Sequence, residues 1–83
     1  MSAPASRAQV TKIVATLHEL DVRHRAERIY VMGVLGGREV SSTNDLTKAE
    51  ASRIIDTLSR CTTNAELQAV VHHTASHLER ASA

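Results

Sequence analysis

Helix starts are written into this chain three times, as Ser6 with Gln9, Thr47 with Glu50 and Thr63 with Glu66. Each is a hydroxyl residue followed three positions later by Glu or Gln. At that spacing the hydroxyl satisfies an orphan backbone N–H and the longer side chain reaches back to the cap. Behind each start, apolar residues recur at three- and four-residue intervals, the period of a helix with one buried face. Three such starts in 83 residues leave little room for paired strands. The expected fold is all-α: a compact four-helix domain with a long extended connection between the second and third helices.

The first helix is expected over about Arg7 to Leu20, with Val10, Ile13, Val14, Leu17 and Leu20 on one face. The second covers about Arg25 to Leu35 and buries Ile29, Met32 and one of Val31 and Leu35, with Gly36 and Gly37 supplying a left-handed cap. Arg38 to Leu46 forms the connection, with a turn cluster at Ser41–Asp45 and Val40 and Leu46 as anchors. The third helix, Lys48 to Leu58 or Arg60, buries Ala51, Ile54, Ile55 and Leu58. The fourth, Asn64 to about Arg80, turns Leu67, Val70, Val71 and Leu78 inward. The chain reads as a single domain, 1–83, with about 1–5 and 81–83 as frayed termini.

Composition bounds what such a domain does. Tyr30 is the only aromatic residue, so aliphatic side chains and Met must fill the core, and modest stability or self-association is expected. Ten Lys and Arg against nine Asp and Glu give a net charge of +1. That balance excludes a protein that coats DNA through bulk charge, so any nucleic-acid role needs a local patch. A lone Cys61, no signal-peptide pattern and no membrane-length apolar run together indicate a cytoplasmic protein without membrane contact.

The local feature that stands out is Arg23-His24-Arg25 followed by Arg28, at the start of the second helix. Positive charge there opposes the helix macrodipole, and local rules are broken most often where function requires it. A phosphate at this point would meet free N–H groups and several guanidinium groups together. Arg38, past the double glycine, joins the patch if the loop folds back. The alternative is a solvated face in which Glu27 pairs with Arg23 and Asp21 lies close by. On the third helix, Glu50 with Arg53 and Asp56 with Arg60 have the spacing of stabilising surface pairs.

Other motifs carry less. Gly33-Val34-Leu35-Gly36 spells the GXXG of KH loops, but its apolar middle continues a buried helix. His73 and His77 are one helical turn apart, yet a metal needs further ligands, with only Cys61 and His18 as candidates. Arg60 beside Cys61 would lower the thiol's pKa, but nothing marks His72 or His73 as its base. Ser and Thr residues fall at caps and turns. No catalytic, metal or cofactor site is expected, so the chain is read as non-enzymatic.

The segment Arg25 to Leu58 carries Arg38-Glu39-Val40-Ser41-Ser42, Asp45-Leu46-Thr47-Lys48-Ala49-Glu50-Ala51-Ser52 and Ile54-Ile55-Asp56-Thr57-Leu58. It resembles a small helical module, the tail segment of actinobacterial phage and prophage recombination proteins of the single-strand-annealing type, also found in short stand-alone relatives. The resemblance implies an accessory role in phage DNA metabolism, through DNA or a partner protein, and transfers no catalytic residue. The same segment is similar to the helix–extended loop–helix of SAP-type DNA-binding modules, although Glu39, Asp45 and Glu50 near the loop oppose tight binding. Two functions follow as expectations. One is a nucleic-acid-associated domain in which Arg23, His24, Arg25, Arg28 and Arg38 grip the backbone. The other is a protein-interaction or regulatory module, including a homodimer, with no nucleic-acid contact.

Overall fold

The capping chemistry sets the helix boundaries. In the computed structural model, which describes residues 3–82, α1 spans Arg7–Glu19, α2 Arg25–Gly36, α3 Lys48–Ser59 and α4 Asn64–Ser82. Ser6 and Thr47 form complete capping boxes with Gln9 and Glu50. At α4 the arrangement is shifted by one residue. Thr63 Oγ1 accepts the Glu66 N–H, and the Glu66 carboxylate takes chiefly the hydroxyl and backbone N–H of Thr62.

The ends of α1 and α2 both close through Schellman motifs. After α1, the Val22 N–H donates to the Leu17 carbonyl and the Asp21 N–H to that of His18, with Asp21 left-handed at φ 66°. After α2, the Arg38 N–H donates to the Gly33 carbonyl and the Gly37 N–H to that of Val34. Of Gly36 and Gly37, only Gly37 is left-handed, at φ 86°. Gly36 instead completes the helix, buried where a Cβ would lie 3.6 Å from Ile54 Cδ1.

The all-helical architecture is organised around α3, which packs on α1 and α2, while α4 packs on α2. Ile13, Leu17, Val22, Val31, Met32, Leu46, Ile54, Leu58 and Leu67 are fully buried at its centre. A radius of gyration of 12.0 Å is close to the roughly 11.8 Å of a compact 83-residue chain. Val40 and Leu46 anchor the connection into the core, and a single 3-10 turn at Thr43–Asp45 lies between them. The Asp45 carboxylate holds that turn by accepting the N–H groups of Ser41 and Ser42, at 2.8 and 3.1 Å.

Several sequence expectations change, those for Ile55 and Val70 among them, which are half-buried rather than in the core. Residues 3–5 are paired rather than frayed: the Ala5 N–H donates to the Leu46 carbonyl, and the Lys48 N–H to that of Ala3. Met1, Ser2 and Ala83 lie outside the described residues. Val14 is 36% exposed rather than inward, because α1 packs chiefly on α3, which takes the Ile13–Leu17 edge of its apolar stripe. Of the second helix's residues, Val31, Met32 and Leu35 are all buried, while Ile29 is only half-buried.

Candidate functional site

The expected basic patch separates into members with very different surroundings. Arg23 forms an exposed ion pair with Asp21, Nε to Oδ1 at 3.1 Å, in place of the expected pairing with Glu27. Arg38 is committed elsewhere: its Nε and Nη2 donate to the two carboxylate oxygens of Glu50 at 2.6 and 3.0 Å. It also donates to the Asp45 carbonyl. Arg38 thus ties the connection to the start of α3. It lies at the opposite end of α2 from Arg25, and twelve helical residues span about 18 Å. The loop does not bring it to the patch.

The Arg38 interaction also corrects the pairing expected on α3. Glu50 is buried, caps Thr47 through its N–H at 2.9 Å and faces Arg38 rather than Arg53. Its carboxyl is held below the ordinary glutamate range, first by the Arg38 hydrogen bonds and then by the Thr47 N–H. Asp56 and Arg60 pair as expected, at 2.9 Å.

Arg25 and Arg28 remain. Neither has a carboxylate partner among the described residues, and Arg28 Nη1 donates to the Arg23 carbonyl. His24, exposed beside them, is the N-cap of α2 and makes no side-chain capping hydrogen bond. Both arginines line a cleft of about 310 Å3 between α1, α2 and the 3-10 turn. Ser42, Thr43 and Asn44 line it from the turn, and Val10 and Val14 from α1. No carboxylate lines it. The sequence marks the two arginines but not their neighbours: Ser42–Asn44 reads as an ordinary turn cluster, and nothing local indicates which helix it faces.

A second, larger cavity of about 580 Å3 lies on the other side of α2. Its lining includes Ile29, Tyr30, Val34, Val40 and Leu78, and Tyr30 is 57% exposed. Gly33 lets the connection lie close on α2, since a Cβ there would stand 3.1 Å from the Arg38 carbonyl oxygen. Gly33 and Gly36 both lie within α2, so the GXXG is helix rather than loop.

The remaining candidates sort quickly. Cys61 is buried, its Sγ donating to the Thr57 carbonyl at 3.6 Å. Burial pushes its thiol pKa up, with Glu66 adding to the effect, so the expected lowering by Arg60 is overturned. Arg60 is turned to Asp56 instead. His72, His73 and His77 are exposed, and no three His, Cys, Asp or Glu among the described residues are grouped to hold a metal. No helix among these residues is long and apolar enough to cross a membrane.

Fold and cleft together define a small all-helical domain that offers guanidinium groups in a carboxylate-free recess. No protein-family model, curated protein or solved structure matches the chain.

Proposed function

We propose that this chain is a non-enzymatic accessory domain of phage-type DNA metabolism that grips nucleic-acid backbone with Arg25 and Arg28, assisted by His24. One observation carries this reading: the two arginines of the patch that have no carboxylate partner among the described residues share a cleft that no carboxylate among those residues lines. Arg23 takes part by exchanging Asp21 for a phosphate, an exchange that costs little because exposed ion pairs are worth about 0–1 kcal/mol. Arg38 takes no part. The phage context rests on the resemblance of Arg25–Leu58 alone.

The test is a salt titration of binding to labelled DNA, comparing the parent chain with the double variant Arg25→Gln, Arg28→Gln. Loss of two phosphate contacts lowers the log–log salt slope by roughly 1.4–1.8, with the circular-dichroism spectrum unchanged. Absence of binding by the parent chain at low salt would sink the proposal.

A second reading, a protein-interaction module or homodimer, is favoured by the apolar cavity beside the exposed Tyr30. It is the reading to adopt if DNA binding is absent and Tyr30→Asp abolishes association in sedimentation experiments.

A further inference from the structure

The cleft is not purely ionic. Val10 and Val14 line it from α1, and Ile29 and Met32 from α2, so apolar surface lies beside both guanidinium groups. Val14 keeps 36% of its surface open to solvent although it belongs to the apolar stripe of its helix. A bare phosphate, or the phosphates of a duplex, would leave that surface uncovered. The complementary ligand carries an anion and an apolar face in one unit. At about 310 Å3 the recess is at the small end of ligand-sized sites and has room for one such unit.

From this juxtaposition we infer that the cleft receives one unstacked nucleotide of a single strand, its phosphate on Arg25 and Arg28 and its base against Val10 and Val14. In a duplex the base faces are stacked and unavailable, whereas in a single strand they are free to lie on protein surface. Asn44 and Thr43, whose side chains have no hydrogen-bond partner among the described residues, supply polar groups at the same opening. The inference rests on the backbone-gripping reading and adds to it a preference for unpaired strands.

The experiment compares three labelled probes at one salt concentration: a mixed-sequence single strand, the same backbone with abasic sites throughout, and the duplex. The abasic strand carries the same phosphates without the bases, so it isolates the apolar contribution. The intact single strand is expected to bind about fivefold more tightly than the abasic one, a difference of about 1 kcal/mol. Val14→Ser, at a partly exposed site, is expected to erase that difference while abasic-strand binding and the helical spectrum stay unchanged. Equal binding of all three probes, still dependent on Arg25 and Arg28, would overturn the inference and leave the backbone grip standing. No binding to any probe would overturn both.

Discussion

At the scale of single residues, the arginines show how far charge counting falls short. Arg23, Arg25, Arg28 and Arg38 look interchangeable in the sequence, yet Arg38 is a structural residue spanning twelve positions to Glu50. That partner was not legible, because Glu50 has a local cation at Arg53 and the loop's path decides between the two. The pair predicts the acid response. Glu50 is held below the ordinary value of 4.5; a depressed folded value gives stability that is complete above the unfolded value and is lost as pH falls through the folded one. Glu66 shifts in the same direction, first through the Thr62 hydroxyl. Thermal melts are therefore expected to be level from neutral pH down to about 5 and to fall below about 4.5. Arg38→Gln should destabilise the chain at neutral pH, because the buried Glu50 carboxylate loses its guanidinium partner, and should flatten the acid limb. Arg25→Gln should stay within about 0.5 kcal/mol, as surface changes do. Equal losses for the two variants would contradict the division between structural and ligand-facing arginines.

At the scale of elements, helix starts were the most legible part of the chain, because a capping box is short-range chemistry encoded three residues apart. Helix faces were less so. The five apolar residues of α1 form one stripe in the sequence, and only the position of α3 decides that Ile13 and Leu17 are covered while Val14 stays open. The ends of α1 and α2 were both legible to within a residue, but the left-handed residue that closes α1, Asp21, had no glycine to mark it. Asp21 and Gly37 hold the same position in two Schellman motifs, both left-handed, and an L-residue pays roughly 1–2 kcal/mol there. Asp21→Gly should accordingly stabilise the chain by about 0.5–1 kcal/mol, after allowing for the greater freedom of glycine in the unfolded state and loss of the exposed Arg23 pair. Gly37→Ala should destabilise by about 1 kcal/mol even though nothing lies within 4 Å of the added Cβ. Denaturant midpoints at constant slope measure both, and two changes of the same sign would rule out a shared left-handed cap.

At the scale of the whole molecule, the consequence of a nearly aromatic-free sequence is a thin aliphatic core. Composition announced this, and the structure carries it further by leaving Tyr30 mostly exposed. The candidate cleft belongs to this scale as well: it exists because α1, α2 and the Ser42–Asn44 turn meet without closing, which no local pattern encodes. A small core has little reserve. Ile54 is fully buried in α3, the element shared by the packing of α1 and α2, and touches the space left by Gly36. Ile54→Ala removes its outer carbons from a fully buried site, at a cost of about 2–5 kcal/mol. Domains are stable by about 5–15 kcal/mol, with small ones near the bottom of that range. Each lost kcal/mol lowers the melting temperature of a domain this size by about 4–8 °C, so the expected fall is about 10 °C or more. Tyr30→Ser removes a larger side chain but uncovers little, and should move the melt by less than about 4 °C. Calorimetry of the two variants decides the matter: an equal loss at Tyr30 would mean that the aromatic ring is covered in solution, by a second copy of the chain or by a different packing of α2.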